Sequence, residues 1–382
     1  MKKVAIFYKT FSSYGGQEKV VYNFSHYLAE RGYFVEVFSA KQKAPSRHPN
    51  LKVNKVFVPN LGRGFRNLYF ALYSYKRAKA LKDKGYTILG FGKTFYQDIF
   101  RAGGGVHRFY VRRASLKYPS KFRRELYLLK KRLSPSFWIT HFIEKLTFES
   151  PDLKAVIVPT LFVKEQIEEF FNPSAELVLI RNGVDLNRFR PQRELGLSLR
   201  RELGVGESEF VFSYVSTNFA LKGFYYLLHA CRLLKERGRR FKLIAAGERS
   251  GYWERLVKRL GLEKEVILVG RFKGVERVYL ASDFFVYPTL FDASSNAVLE
   301  AMACGVPVIP SRFSGTGELV EEGVSGFLIG RPEDPLEIAE KMERGMEADP
   351  KAMGAAAREV AEKYPLEEVF SNYEKVIATY AS

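Results

Sequence analysis

The chain has 382 residues, of which 46% are hydrophobic and 27% charged, and its formal net charge is +19. This length predicts about two domains, each able to bury its own core. No apolar run approaches the ~18 residues of a membrane span, so we do not expect an integral membrane protein. The two cysteines lie in apolar stretches without nearby metal ligands, which disfavours a disulfide framework or metal site and fits a reducing cytoplasm.

The positive charge is concentrated in the first half of the chain. Residues 1–181 contain 33 Lys and Arg against 13 Asp and Glu, whereas the remainder contains 28 against 29. An excess of positive charge attracts polyanions over long distances, such as nucleic acid, anionic lipid headgroups or an acidic substrate.

Strands and helices alternate along the first half. The segment Met1–Lys9 is too briefly apolar for a signal peptide and predicts a first buried strand at 4–8 instead. The apolar spacing then predicts a helix at 17–31. Further strands are predicted at 34–40, 53–59, 87–92 and 155–159, and further helices at about 66–83 and 160–171. This alternation predicts a parallel sheet with helices on both faces.

A second alternation starts beyond residues 181–185, after a variable stretch. Its predicted elements are strands at 211–216, 242–247, 266–270, 284–288 and 307–309, and helices at 223–237, 252–260, 275–282 and 295–304. The sequence therefore predicts two similar α/β halves that join near residues 180–190, with a last helical run at 366–380.

Residues 292–309 carry the most informative motif. Asp292 lies in the loop after a strand, and Glu300 lies about two turns into the helix that follows. Backbone N–H groups at the start of that helix, over Ser295–Val298, form an anion site. Carboxylates that accept hydrogen bonds from hydroxyl groups, together with amides that hold a phosphate, suit a sugar nucleotide. The alternative is an ordinary strand–loop–helix with two unrelated surface acids.

This motif resembles retaining glycosyltransferases of the two-domain GT-B fold, of the family 4 type. Those enzymes carry an acid, seven residues, a Glu and then Ala-Met-Ala-x-Gly-x-Pro-Val, and residues 300–308 match. The first acid is usually Glu and here is Asp292, whose side chain, which would contact the donor sugar, is one methylene shorter. The resemblance covers nearly the whole chain and is nearest to enzymes that add glucose to the lipopolysaccharide core.

The resemblance implies an α/β architecture of two Rossmann-like domains that face a cleft. The first domain, 1–180, would bind the acceptor, and the second, 181–365, would bind the nucleotide sugar. The final segment, 366–382, would be a helix that returns to the first domain.

The resemblance also assigns roles to other residues. Gly15 and Gly16, although they could be a simple tight turn, would close over the donor phosphates, and Glu18 could contact acceptor or sugar hydroxyls. Lys222 and Arg188, which could instead be solvated surface residues, would bind the diphosphate. The donor-binding set is Gly15, Gly16, Arg188, Lys222, Ser295, Asn296, Ala297, Val298 and Glu300, with Glu300 on the ribose and Asp292 on the sugar.

Asp98 and His107 flank the glycine run 103–105 and are the remaining catalytic candidates, although a lone histidine is more often structural. In related enzymes an acid often lies near Gly104, and its absence leaves the acceptor-side chemistry open.

The implied reaction is hexosyl transfer from a nucleoside-diphosphate sugar, with a UDP-sugar expected, to a glycan or lipid-linked acceptor with retention of configuration. Such a reaction belongs to the synthesis of lipopolysaccharide or other cell-envelope glycans. No Asp-x-Asp motif occurs, so neither a metal nor any other cofactor is expected.

Residues 101–132 contain eleven Lys and Arg and a single acid, Glu125, with aromatic and aliphatic residues interleaved. This pattern suits an anionic membrane surface and predicts a cytoplasmic, peripheral protein on the inner face of the cytoplasmic membrane. A solvated basic face over a core is the alternative. Two rival functions are a sugar-nucleotide epimerase on a similar scaffold and a basic nucleic-acid-binding protein. The second has no recognition motif and leaves 292–309 unexplained, so no nucleic-acid partner is expected.

Overall fold

The computed structural model describes residues 2–60 and 62–380, which form two compact units. Within the described residues, unit 1 contains 2–60, 62–115, 121–181 and 367–380, and unit 2 contains 116–120 and 182–366. The short segment 116–120 therefore belongs to the second unit, which the sequence did not indicate.

Unit 1 is built on a parallel sheet of seven strands in the order β5-β3-β1-β6-β7-β8-β9, beside a small pair formed by β2 and β4. The strands are β1 Lys3–Phe7, β2 Thr10–Phe11, β3 Phe34–Ser39, β4 Lys41–Gln42, β5 Leu51–Lys55, β6 Tyr86–Gly90, β7 Ile99–Arg101, β8 Ala155–Val158 and β9 Glu176–Leu179. Strands β1 and β6 lie at the centre and are apolar throughout most of their length, because both faces of such a sheet are covered.

The helices of unit 1 connect these strands. They are α1 Gln17–Glu30, α2 Arg63–Lys82, α3 His107–Ala114, α4 Lys121–Arg132, α5 Pro135–Phe148 and α6 Leu161–Phe170. Helix α1 buries Val21, Phe24 and Leu28, which recur at helical spacing and form its core-facing side.

The last helix, α14 (Leu366–Tyr380), packs within unit 1 although unit 2 precedes it in the chain. Phe370 and Tyr373 lie against Phe24 of α1, with ring centroids 5.4 and 5.3 Å away. The Glu374 carboxylate accepts hydrogen bonds from Tyr33 and Arg31 at 3.1 and 3.0 Å. These contacts fix the end of the chain to the first unit.

Unit 2 has a parallel sheet of five strands in the order β12-β11-β10-β13-β14. The strands are β10 Val211–Ser216, β11 Lys242–Gly247, β12 Val266–Gly270, β13 Phe284–Tyr287 and β14 Val308–Pro310. Its helices are α7 Arg193–Glu202, α8 Phe224–Glu236, α9 Gly251–Arg259, α10 Glu276–Leu280, α11 Asn296–Ala303, α12 Pro335–Glu347 and α13 Pro350–Glu362. The α/β class and the parallel sheets predicted from the sequence are confirmed.

No helix in the described ranges, 2–60 and 62–380, is long and apolar enough to cross a membrane.

Candidate functional site

Asp292 and Lys222 form an ion pair at the carboxyl edge of the unit 2 sheet. Asp292 follows β13 and Lys222 follows β10, and these strands are neighbours. The Lys222 Nζ lies 2.6 Å from Asp292 Oδ2 and donates to the Phe291 carbonyl at 3.0 Å. Both side chains retain partial access to solvent, with 16% and 20% exposed. The predicted sugar-binding acid and the predicted diphosphate-binding cation are therefore in direct contact.

Tyr287, which the sequence analysis did not single out, orients this carboxylate. Its buried hydroxyl donates to Asp292 Oδ2 at 2.9 Å. Burial, reinforced by the charge of Asp292, raises the pKa of Tyr287 well above its usual value, so the phenol keeps its proton. One oxygen of Asp292 thus receives two donors, and the position of the acid is tightly defined.

Gly223 allows the two loops to meet. It has φ of 76° and precedes α8, and a Cβ at this position would lie 1.9 Å from the Pro288 carbonyl oxygen. Only glycine fits both the left-handed conformation and this close approach. The Lys-Gly pair is therefore a geometric unit, in which the glycine brings the lysine to the loop after β13.

The amino end of α11 presents backbone donors beside this pair. The Ser295 side chain caps the helix and accepts from the Val298 N–H at 3.4 Å. The N–H groups of Asn296 and Ala297 begin the helix, where no carbonyl one turn earlier can accept them. The Asn182 side chain donates to Asn296 Oδ1 at 2.7 Å and holds this residue in place. The four residues predicted to bind phosphate thus form one helix start.

Glu300 lies farther along α11. Its carboxylate accepts from the buried Tyr279 hydroxyl at 3.1 Å. Arg188, the second predicted cation, pairs with Glu276, whose Oε2 lies 2.8 Å from Nη2. Burial lowers the pKa of Arg188, but the hydrogen bond and charge of Glu276, with the charge of Glu300, outweigh it and raise this pKa. Arg188 therefore lies within the electrostatic field of Glu300, as a shared ligand site requires.

Sequence reasoning missed several residues that hold this site. Glu248 accepts from the Phe219 N–H at 2.7 Å and from the Trp253 indole at 3.2 Å, which fixes the loop that carries Lys222. Thr316 donates to the Ser295 carbonyl at 3.0 Å. Glu248 contacts Phe219, 29 positions before it, and Thr316 contacts Ser295, 21 positions before it, so no local sequence pattern indicates these contacts.

Gly15 and Gly16 follow β1 at the carboxyl edge of the unit 1 sheet and directly precede α1. Gly15 has φ of 104°, and a Cβ there would lie 2.8 Å from Glu18 Oε2. Glycine thus lets the loop turn back over the first turn of the helix. The Glu18 carboxylate accepts a hydrogen bond from Tyr8, and burial together with this acid raises the pKa of the Tyr8 hydroxyl.

His107 is the first residue of α3 and follows the glycine run after β7. Its backbone N–H donates to Glu144 Oε2 at 3.2 Å, and its ring packs against Phe137. Burial, with the charges of Lys93 and Arg63, lowers its pKa to about 3. The imidazole is therefore neutral at physiological pH. Its catalytic role stays a prediction.

Asp98 has contacts that differ from those expected of a catalytic acid. It is 5% exposed and precedes β7, away from the carboxyl ends of the strands where ligands bind in such sheets. Lys82 Nζ lies 2.5 Å from one carboxylate oxygen, and the Ile88 N–H donates to the other at 2.8 Å. These contacts join α2 and β6 to the start of β7, and the catalytic role of Asp98 stays a prediction.

Within residues 2–60 and 62–380 no three His, Cys, Asp or Glu side chains converge in a way that could hold a metal ion. Cys231 and Cys304 are both buried and unpaired with each other. Burial raises the pKa of both thiols, which makes them inert core residues.

Two α/β units, each built on a parallel sheet, are the architecture of two-domain glycosyltransferases of the GT-B type. The chain belongs to this group by sequence as well: the family described as Glycosyltransferase Family 4 matches residues 14–188, and the family described as Glycosyl transferases group 1 matches residues 209–348. The family predicted from the sequence is confirmed.

Named relatives agree with this class. The chain is 30% identical over 168 residues to the UDP-Gal:alpha-D-GlcNAc-diphosphoundecaprenol alpha-1,3-galactosyltransferase of Escherichia coli. The aligned stretch covers 43% of each chain. The chain spans about half the length of the first curated relatives it matches. Nothing in the matches favours the epimerase or nucleic-acid-binding alternatives.

Solved structures share the fold over their whole length. The glycosyltransferase WaaG, involved in lipopolysaccharide biosynthesis, superposes with a TM-score of 0.81 at 19% identity, over 98% of this chain and 99% of that one. Anabaena Alr3699/HepE in complex with UDP-glucose superposes with a TM-score of 0.71 at 17% identity, over 99% and 100%. The GT-B fold predicted from the sequence is confirmed.

Proposed function

We propose that this protein transfers a hexose from a UDP-sugar to a glycan or lipid-linked acceptor of the cell envelope, with retention of configuration and without a metal ion. The observation that carries the proposal is the contact between Lys222 and Asp292 beside the amino end of α11, with Glu300 on the same helix. The relatives support it, since one is named for a UDP-galactose donor with a diphosphoundecaprenol acceptor and another binds UDP-glucose.

Each group in unit 2 has a place on the donor. Glu300 accepts hydrogen bonds from the ribose hydroxyls, and Asp292 accepts them from the sugar. Lys222, Arg188 and the amides of Asn296 and Ala297 surround the diphosphate. Negative charge grows on the β-phosphate as the bond to the sugar breaks, and preorganised cations and amides stabilise that charge.

The transfer itself replaces one C–O bond with another at the anomeric carbon. The bond from this carbon to the β-phosphate oxygen breaks, and a bond to the acceptor oxygen forms on the same face. The acceptor proton passes to an oxygen of the leaving phosphate, so no enzymic nucleophile is required. Binding of the acceptor is assigned to unit 1, where Glu18 and the neutral His107 are the candidate residues. NMR of the product should show the anomeric configuration of the donor.

We expect Glu300→Ala to weaken UDP binding more than Asp292→Ala. Glu300 is assigned to the nucleotide, whereas Asp292 is assigned to the sugar, and a hydrogen bond to a charged group is worth about 1.5–3 kcal/mol. Calorimetry with UDP and with a UDP-sugar would measure both losses. Glu340→Ala, which removes an exposed carboxylate of α12, provides the control. Equal UDP affinity in Glu300→Ala and the parent protein would refute the ribose assignment.

We also expect transfer to continue in the presence of EDTA. The proposed charge stabilisation comes from Lys222, Arg188 and helix amides, so no divalent cation is needed at the diphosphate. Activity would be followed by release of UDP before and after chelation. Loss of activity that Mg²⁺ or Mn²⁺ restores would show that a metal shares the diphosphate after all.

Docking on an anionic membrane is the proposed way to reach a lipid-linked acceptor, and helix α4 carries this part of the proposal. None of its residues is buried. Phe122, Leu126, Leu129 and Leu133 recur at helical spacing, and Phe122 and Leu133 are 76% and 73% exposed. Helix α5 adds Trp138, which is 54% exposed and donates to the Arg132 carbonyl at 2.7 Å.

The cations of α4 complete this surface. Four of them are exposed to solvent: Lys121, Arg123, Lys130 and Arg132. Exposed apolar side chains flanked by cations suit the boundary between lipid headgroups and acyl chains. We call Phe122, Leu126, Leu129, Leu133 and these four cations the α4 face, and we infer that it docks on the inner leaflet of the cytoplasmic membrane.

A further inference from the structure

Four cations come together at the carboxyl edge of the unit 1 sheet, apart from the α4 face. Lys9 follows β1 and Lys93 follows β6, and the last residues of these neighbouring strands, Phe7 and Gly90, are paired in the sheet. Arg63 and Arg66 lie in the first turn of α2. Since ligands of open parallel sheets bind at this edge, the position itself is one where a substrate is expected.

Few acids balance this cluster. Lys93 pairs with Glu144 at 2.5 Å, and that carboxylate is 6% exposed. Lys9 has a neutral partner, since its Nζ donates to Asn67 Oδ1 at 3.0 Å. Arg66 donates to Asn60 Oδ1 at 3.4 Å, which is also a neutral group. The charge of Glu18 acts on Lys9, so Glu18 and Glu144 are the two acids shown to act on these four cations within the described residues.

Helix α2 adds to the positive potential rather than offsetting it. The amino end of a helix carries a partial positive charge, which favours acidic residues in the first turn. The first turn of this 20-residue helix contains no acid and two arginines. The arrangement is unfavourable for the chain alone and becomes favourable when an anion is bound.

The titration of Lys9 agrees with this arrangement. Burial lowers its pKa, the charges of Arg63, Lys93 and Arg66 lower it further, and the result is about 8 against an opposing contribution from Glu18. A solvated lysine on an ordinary basic face keeps its usual value of about 10.4. Perturbed groups of this kind concentrate at functional sites.

We propose that Lys9, Arg63, Arg66 and Lys93 bind a phosphoryl group carried by the acceptor. A phosphate monoester has about −1.5 to −2 charges and three acceptor oxygens, which fits a cluster of ammonium and guanidinium donors better than a single carboxylate does. In calling the ligand an acceptor, the inference rests on the proposed function. The phosphoryl group could belong to a phosphorylated sugar or to a lipid diphosphate, and the two share this chemistry.

The test uses the full chain with UDP present, so that the probe anions do not occupy the proposed nucleotide site. Calorimetry would compare glucose 6-phosphate, glucose and geranyl diphosphate. We expect at least one of the two anions to bind and glucose not to bind. Preference for glucose 6-phosphate would identify a phosphorylated sugar, and preference for geranyl diphosphate would identify a lipid diphosphate.

Two variants and one control locate the binding. Lys9→Gln and Arg66→Gln should each lower the affinity for the preferred anion by roughly ten-fold or more, since each removes a charge-assisted contact. Arg66 is partly exposed, so its substitution should leave folding intact even where Lys9→Gln alters the melting temperature. Lys76→Gln removes an exposed cation from the same helix and should leave affinity unchanged.

The proposal is overturned when neither anion binds, or when both variants bind as tightly as the parent protein. Binding of UDP alone is measured first. Normal UDP binding without anion binding would reject this cluster and leave the proposed function standing. Anion binding without UDP binding would reject the proposed donor site and keep an anion site in unit 1.

Discussion

Reversal of the four exposed α4 cations, Lys121, Arg123, Lys130 and Arg132, to glutamate should abolish binding to vesicles that contain phosphatidylglycerol. Each cation near an anionic surface contributes about 1 kcal/mol, so loss of four removes about 4 kcal/mol, or roughly a thousand-fold in affinity. The new carboxylates add repulsion. Co-sedimentation at two salt concentrations would measure the effect, and higher salt should release the parent protein.

A matched control keeps the same change in net charge elsewhere in unit 1. Lys41, Lys43, Lys52 and Lys55 are exposed and lie on or beside β4 and β5. Their reversal to glutamate should leave most vesicle binding in place, and UDP affinity should be unchanged in both variants. Binding that ignores lipid charge, or that falls equally in both variants, would assign the basic half to something other than membrane docking.

The choice of these four residues shows what the structure adds to the sequence. Sequence counting treated all eleven cations of residues 101–132 as equal. In the structure Arg113 is partly buried, and Lys117 belongs to unit 2. The linear pattern gives the sign and amount of charge, whereas only the fold decides which cations are free to meet a surface.

Most of the central sheets could be predicted from the sequence, because buried parallel strands are short continuous apolar runs. Strand β1 was predicted at 4–8 and lies at 3–7, and β10 and β11 have the predicted bounds. The short strands β7 and β9 were missed. Each has only three or four residues, so its hydrogen bonds to neighbouring strands define it more than its own composition does.

The candidate site was predictable where its parts are close in sequence. Ser295 and Glu300 lie on one helix, and a capping serine before an apolar helical run is a local signal. Asp98 is the converse case, because its contacts could not be predicted from its neighbours in the sequence. Its proximity to the glycine run suggested a catalytic loop, but its partners Lys82 and Ile88 lie on other elements, and they place it at the start of β7.

Lys222→Ala should reduce the rate of transfer by roughly ten- to a hundred-fold, because one charge-assisted contact to the diphosphate is worth about 1.5–3 kcal/mol. The same variant should lower the affinity for UDP but not the affinity for uridine, which has no phosphate. Lys222→Arg keeps the charge and should retain part of the affinity. Calorimetry with the two ligands, together with the rate of UDP release, would measure these effects.

The ion pair between Lys222 and Asp292 offers a second explanation for a loss of UDP affinity in Lys222→Ala. A further variant distinguishes the two explanations. Lys222 could serve only to neutralise Asp292, whose Oδ2 it contacts at 2.6 Å. In that case Lys222→Ala leaves an uncompensated carboxylate, which repels the diphosphate, and the double variant Lys222→Ala/Asp292→Asn should recover normal UDP affinity. If Lys222 binds the diphosphate itself, the UDP affinity of the double variant stays low, since neutralising the acid does not replace the missing cation. The coupling between the two substitutions therefore distinguishes a lysine that binds substrate from one that only holds Asp292.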